Sequence, residues 1–314
     1  MFSEDQSIAF VMSPRLGDAL ISMVVVANLQ RNGYRVDVFS DHLAALRDWF
    51  PGFQIHLSVA PGDPTHVLEP YDVLLHAYRS DVVVGARDAS RVQVMDEWPT
   101  YRQVKPMVEI QQDLCRHELR LAAVSPDNGL QIPASVRPAM HERRIVIHPT
   151  ASAPHKEWLP ARFSRLVQAL QADDWEPRLI MTPAERDAWR GVVEPSLFAP
   201  TKSLDEVSRY LCESAWMIGN DSGLAHLASN LGTPTVTLAI RRTVATRWRP
   251  GWAPSEVVFP PPLIPSRALK DIFWKYLIPT HRVLSAFALL RAKAPHERRY
   301  HSGFSANHVR NVRP

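Results

Sequence analysis

Short apolar runs alternate with longer segments of helical spacing along most of the chain. The pattern is clearest over residues 215–238, AWMIGNDSGLAHLASNLGTPTVTL. Residues 215–218 suit a buried strand, and Gly219 and Asn220 break it. Leu224, Leu227, Ala228 and Leu231 then share one helical face. Gly232 ends that helix, and Thr233-Pro234 leads into a β-branched strand at 235–238. Strand, tight turn, helix and strand make the βαβ unit of a parallel sheet. Such a turn presents free N–H groups and the positive end of a helix dipole at the carboxyl edge of the sheet, where a diphosphate would bind. Gly223 would let a phosphate approach the backbone. Asp221 and Ser222 either cap the helix or belong to that site. His226, one turn further, either faces the same mouth or is an ordinary histidine.

The same order opens the chain: a strand at 8–12, a turn through Ser13-Pro14-Arg15-Leu16-Gly17-Asp18, a helix at 19–32, Gly33 and a strand at 34–39. Only Gly17 of a dinucleotide-binding glycine pattern is present, so NAD binding gains no support. Asp18 either caps the helix or faces a cleft as a carboxylate. Further strands are expected at 54–59, 73–76 and 82–84, with irregular chain at 87–105 and a helix at 107–123. A proline-rich linker at 125–143 follows. The second half restarts with a strand at 144–148, a loop at 149–158 and a helix at 160–171, with Pro160 in its first turn. Then come a strand at 178–181, a helix opened by Thr182-Pro183 that contains Glu185, and a helix at 204–213 capped by Ser203. The basic stretch 241–250 reads as a solvated face. Two helices, 269–277 and 281–293, close the pattern. The fold class is therefore α/β, with two tandem Rossmann-like domains built on doubly wound parallel sheets. Their expected bounds are 1–135 and 136–294, and the basic, aperiodic stretch 295–314 is expected to be disordered.

The 314 residues suit two domains of ordinary size. A hydrophobic fraction of 46% and a charged fraction of 22% are those of a globular protein. The net charge of +4 favours an anionic partner. Two cysteines, Cys115 and Cys212, form neither a disulfide framework nor a metal spacing, which fits a reducing compartment. No run approaches the roughly 20 apolar residues of a membrane span, and the N-terminus lacks the design of a secretion signal. The expected location is the cytoplasm, with peripheral contact at the inner face of its membrane through basic or aromatic loops near an acceptor.

Three motifs in order carry a family resemblance. Arg15-Leu16-Gly17-Asp18 looks like the N-terminal signature of glycosyltransferase family 9, the heptosyltransferases. His148-Pro149-Thr150-Ala151-Ser152 followed by Lys156-Glu157-Trp158-Leu159-Pro160 resembles their donor-binding loop. Asn220-Asp221-Ser222-Gly223-Leu224-Ala225-His226 resembles their most diagnostic motif. The resemblance implies a GT-B fold, its two domains facing across a cleft. It also implies an inverting, metal-independent transfer of a heptose from ADP-heptose to a lipopolysaccharide core acceptor, with no cofactor. Asp18 matches the family's general base, which an acceptor hydroxyl needs. Lys156, the hydroxyls of Thr150 and Ser152, and the N–H groups of Ser222 and Gly223 would take up charge on the departing ADP. His226 would donate to sugar or phosphate, Asp221 would bond sugar hydroxyls or pin its loop, and Glu185 would hold the ribose. Arg15 and Arg247 are assigned to an anionic acceptor, although Arg247 and Arg249 could equally face the phosphates or water. The loop Ala153-Pro154-His155 and the paired Arg241-Arg242 depart from the family pattern. The segment 63–98, which should read the acceptor, carries no motif. A different nucleotide-sugar donor, an epimerase on the same fold and a non-catalytic binder are the alternatives. Nucleic-acid binding has no motif behind it.

Overall fold

The computed structural model describes residues 5–59, 64–83, 90–261 and 267–301. In the N-terminal half, β1 (Ser7–Val11), α1 (Leu16–Arg31), β2 (Arg35–Phe39), α2 (Asp41–Ala44), β3 (Gln54–His56), α3 (Pro64–Leu68), β4 (Val73–His76), β5 (Val92–Val94) and α4 (Met107–Asp113) follow one another. In the C-terminal half the order is β6 (His141–His148), α5 (Pro160–Ala172), β7 (Glu176–Leu179), α6 (Pro183–Ala188), α7 (Leu204–Cys212), β8 (Ser214–Asn220), α8 (Gly223–Asn230), β9 (Thr235–Leu238), α9 (Arg242–Arg247), β10 (Ser255–Val258), α10 (Arg267–Leu277) and α11 (Thr280–His301).

Each half builds one five-stranded sheet, ordered β3-β2-β1-β4-β5 and β10-β9-β8-β6-β7. Every pairing is parallel. Both are doubly wound: the strand order reverses between β1 and β4 in one sheet and between β6 and β8 in the other. Ligands of such sheets collect outside the carboxyl ends of the strands at the reversal.

The sequence-based elements differ from this arrangement at the sheet edges. Val82 and Val83 are loop, after a 3₁₀ turn at Arg79–Asp81, and Val84 lies outside the described residues. The fifth strand is instead β5, inside the stretch read as irregular, where three residues pair with Leu74, Leu75 and His76. β10 is likewise absent from the expected elements, a four-residue edge strand lying close to prolines on either side. The helix expected to run to 123 ends at Asp113 and continues as a π turn, Leu114–Glu118. α11 runs on to His301, so residues 295–301 of the expected tail are helical, and 302–314 lie outside the described residues.

α1 is buried along nearly its whole length, apolar on every side, as expected of a helix enclosed by protein. The enclosure comes from its own sheet and α4 and, on the remaining side, from the other half of the chain. One apolar cluster runs from Ile8 and Phe10 of β1 through α1 to Ala225, Leu227 and Ala228 of α8 and to Met217 of β8. The stretch read as a linker takes part in this junction. β6 already begins at His141, and Asn128 is fully buried, donating to the Leu20 carbonyl (2.9 Å) and to Asn230 Oδ1 (2.8 Å). Trp49 Nε1 donates to Asp205 Oδ1 at 2.8 Å, a further tie between the halves.

The tightest point is glycine on glycine. A Cβ on Gly17 would lie 3.3 Å from Gly223 Cα and 2.9 Å from His226 Cδ2, and a Cβ on Gly223 would lie 3.0 Å from Gly17 N and from Leu16 Cβ. Both residues stand in the first turn of their helices, so any side chain there would wedge the halves apart. Gly223→Ala should destabilise the protein by about 1–3 kcal/mol by overpacking. Gly52→Ala, where a Cβ meets nothing within 4 Å, should leave the urea midpoint within error of the wild type.

Candidate active site

A cleft of about 790 Å³ opens where the two reversal points face each other. Its walls are the loops that leave the carboxyl ends of the strands. The first sheet contributes the turn after β1, with Arg15, Gly17 and Asp18, together with His42 after β2 and Tyr78 after β4. The second contributes Thr150, Ser152 and Lys156 after β6, Glu185 after β7, and Asp221, Ser222, Gly223 and His226 after β8.

Neither serine nor aspartate in these turns acts as a helix cap. α1 starts at Leu16, so Asp18 lies in its first turn rather than before it, and the N-cap position is Arg15. The Asp18 carboxylate, 9% exposed, accepts from Arg15 Nη1 at 3.0 Å and from Ser13 Oγ at 3.5 Å. Burial raises its pKa above the usual aspartate value, although the Arg15 guanidinium pulls the other way. Ser222 stands at the N-cap of α8 but makes no capping bond. Its Oγ instead lies 3.0 Å from His148 Nδ1, and His148 Nε2 lies 3.2 Å from Thr150 Oγ1. His148 therefore joins the β6 loop to the β8 turn and fixes both hydroxyls at the cleft wall. Burial lowers its pKa to about 4, so the imidazole is neutral at pH 7.

Asn220, at the end of β8, sets the β6 loop. Its amide donates to the Pro149 carbonyl at 2.6 Å and accepts from Trp158 N at 3.1 Å. Trp158 is fully buried and its Nε1 donates to the Ile278 carbonyl at 2.9 Å. Trp274 Nε1 of α10 donates to the His155 carbonyl at 2.8 Å. The loop carrying Lys156 is thus held from below by β8 and from the side by α10.

Asp221 is pushed up to about pKa 6, by burial first; Lys156 lowers it and Asp18 of the opposite half raises it. Two carboxylates, one from each half, therefore sense each other across the cleft. His226 is 5% exposed, its Nδ1 has no hydrogen-bond partner, and burial lowers its pKa to about 4. Glu185 closes a capping box: its Oε2 accepts from Thr182 N (2.6 Å) and Thr182 Oγ1 (2.7 Å). Burial raises the Glu185 carboxyl, but these bonds and one from Thr150 outweigh it and hold the pKa below the usual value.

Arg247 is the predicted residue that the structure places elsewhere. It does not line the cleft. Its guanidinium donates to the carbonyls of Gln103 (2.8 Å) and Tyr101 (2.7 Å) and stands 4.9 Å from the centre of the Tyr101 ring. The basic stretch after β9 is in part a strap from α9 to the other half, not a solvated face. Its Arg241 does line the cleft, 3.6 Å from Asp271 of α10. No site role follows from the sequence for Arg241, His42, Tyr78 or His148, although His148 opens the donor-loop motif. Each follows or ends a strand at its carboxyl end, which was the available signal. Asp271 gave none. Among the described residues, no three His, Cys, Asp or Glu side chains are grouped to hold a metal ion.

Two doubly wound α/β domains meeting at their carboxyl edges form the GT-B fold of a glycosyltransferase. Residues 73–262 match glycosyltransferase family 9 (heptosyltransferase), and the chain belongs to that family. No curated protein matches the sequence. Among solved structures, a family 9 glycosyltransferase from Veillonella parvula DSM 2008 superposes with a TM-score of 0.69 at 12% identity, covering 93% of this chain and 99% of the other. E. coli ADP-heptose lps heptosyltransferase II gives 0.68 at 17% identity, covering 92% and 99%. The iron-containing dodecameric glycosyltransferase TibC from enterotoxigenic E. coli H10407 gives 0.60 at 16% identity, covering 93% and 78%.

His76, His148 and His226 all have pKa values lowered by burial from 6.5 to about 4. The unfolded chain then takes up protons below pH 6.5 that the folded chain refuses, so stability present above 6.5 is lost as pH falls toward 4. His76 is fully buried with neither ring nitrogen bonded and lies off the cleft lining. The urea midpoint should therefore drop between pH 6.5 and 4, and less steeply in His76→Leu.

Proposed function

We propose that this chain transfers a heptose from ADP-heptose to a hydroxyl of a lipopolysaccharide core or related glycan, with inversion at the anomeric carbon. The observation that carries the reading is a juxtaposition. A buried carboxylate with a raised pKa, Asp18, shares one cleft with a lysine, two fixed hydroxyls and the N-terminus of α8. Family membership and the ADP-heptose named for the E. coli neighbour support the choice of donor.

In this reading the acceptor oxygen attacks the anomeric carbon and gives its proton to Asp18. The bond from that carbon to the diphosphate oxygen breaks, and ADP leaves with the electron pair. A carboxylate whose pKa is raised toward neutrality is the better proton acceptor. Lys156, Ser152 and the hydroxyls of Thr150 and Ser222 receive the diphosphate, with the N–H groups at the start of α8. This is the work a metal ion would otherwise do. His226, neutral and with a free ring nitrogen in a dry setting, bonds the donor. Asp221 accepts from sugar hydroxyls. Glu185 keeps one carboxylate oxygen outside its capping box for the ribose. Arg15 meets the acceptor while holding Asp18.

Calorimetry with ADP, GDP and UDP, with and without magnesium, tests the donor. ADP should bind best and without magnesium, and Lys156→Ala should weaken it by roughly 10- to 100-fold, the value of one charge-assisted bond. A preference for UDP or GDP would overturn the donor and leave the fold. Asp18→Asn should lower the transfer rate roughly 10²- to 10⁴-fold with ADP affinity unchanged. The wild-type rate should fall as pH drops through about 6, where Asp221 takes up a proton, and Asp221→Asn should flatten that limb.

A further inference from the structure

A nucleotide's terminal phosphate carries roughly −1.5 to −2 charges at pH 7. Lys156 brings one positive charge to the cleft wall, and Arg15 is paired with Asp18 at 3.0 Å. Arg241 lines the same cleft. β9 ends at Leu238, the register partner of Asn220, and the Leu238 carbonyl accepts from Asp221 N at 3.0 Å. Arg241 therefore leaves the sheet beside the β8 turn. β8 lies between β9 and β6, so Arg241 and the loop of Lys156 approach the start of α8 from opposite sides. The arginine is anchored but not saturated. Its Nη2 stands 3.6 Å from Asp271 Oδ1, an ion pair too long for a hydrogen bond. Arg241 Nε and Asp271 Oδ1 are both shielded from solvent and have no hydrogen-bond partner. Shielded polar atoms with nothing to bond are costly and uncommon. The backbone around them is fixed at both ends. Arg241 is the N-cap residue of α9, which ends in Arg247, bound to the carbonyls of Tyr101 and Gln103 in the other half. α10, which carries Asp271, holds the His155 carbonyl through Trp274, next to Lys156.

We propose that Arg241 is a second cation of the donor site, bonding the diphosphate from the β9 side, and that Asp271 orients it. The inference rests on the reading of the cleft as a nucleoside-diphosphate site and names a residue that completes it. A guanidinium is planar and carries five N–H donors in a fixed fork. One of its nitrogens can face Asp271 while Nε and the others face an anion, and a phosphate oxygen would satisfy the shielded Nε. Asp271 repels that anion, so its part is to hold the arginine and not to touch the nucleotide. As the bond to the anomeric carbon breaks, negative charge grows on the departing oxygen. A cation fixed beforehand then gains more in the transition state than in the ground state. A bare tether between α9 and α10 fits the observations less well. An ion pair of two partly exposed groups at this distance stabilises little, and a tether gives the shielded Nε nothing to bond.

Calorimetry of the full chain with ADP tests this. Arg241→Gln should weaken ADP roughly 10- to 100-fold, the loss of one charge-assisted bond to phosphate. Wild-type affinity should fall as salt rises, and less steeply in Arg241→Gln, because one charge of the site is gone. Asp271→Ala should stay within about threefold of the wild type, since it removes an orienting partner and, with it, a charge that repels the anion. Arg241→Lys keeps a positive charge beside Asp271 and covers the case in which glutamine unsettles the loop. It should still bind ADP roughly threefold or more weakly, for want of the planar fork. Arg241→Gln binding ADP like the wild type overturns the proposal. So does Asp271→Ala losing as much ADP affinity as Arg241→Gln, which marks the pair as a tether. If the wild type prefers UDP or GDP, the ADP donor falls, and the same losses measured with that nucleotide support the role of Arg241. A wild type that binds no nucleoside diphosphate overturns both.

Discussion

The two halves depend on a contact that has no side chains in it. Gly17 and Gly223 bring the first turns of α1 and α8 against each other. Two helix N-termini then end at one place, and each carries a partial positive charge. Like ends repel, so the arrangement needs compensating negative charge. Asp18 and Asp221 stand at those two ends, and Arg15 and Lys156 keep the carboxylates from repelling in turn. The field left over is suited to an anion, and the same crowding that raises the carboxylate pKa values excludes the water that would screen it.

Much of this was legible because the elements nearest the site are the most regular. β4 and β9 coincide with the expected strands, and α1, α5 and α8 differ from expectation only at their ends. A buried parallel strand is an unbroken apolar run, and its glycine turn is conspicuous. β5 and β10 were not legible, because a strand of three or four half-covered residues at a sheet edge has neither the length nor the alternation that marks a strand. In the site, the motif turns yielded Asp18, Thr150, Lys156 and His226. They did not yield Tyr78, although it follows a strand that was legible, or Asp271, which reaches the cleft by tertiary folding from a helix late in the chain. Arg247 was misplaced for a related reason. An arginine in a basic stretch looks solvated until the two carbonyls that hold it, 144 and 146 residues away, are known.

The polar ties at the junction differ in kind from the apolar ones. The shared cluster supplies area, whereas Asn128, Trp49 and Arg247 each place a directional bond that only one alignment of the halves satisfies. Interfaces between domains of one chain are usually polar enough to slide. Here a buried helix crosses the boundary, and movement of one half over the other would expose it.

α1 also sets an order on synthesis. Its outer face is covered by α8, which begins roughly 190 residues after α1 ends. At ordinary translation speeds that interval is about 10 to 40 s. Throughout it, a helix apolar on every side is complete outside the ribosome while its cover has not been made. The nascent N-terminal half is therefore a sticky intermediate, a natural client for a chaperone, and not an independently finished domain.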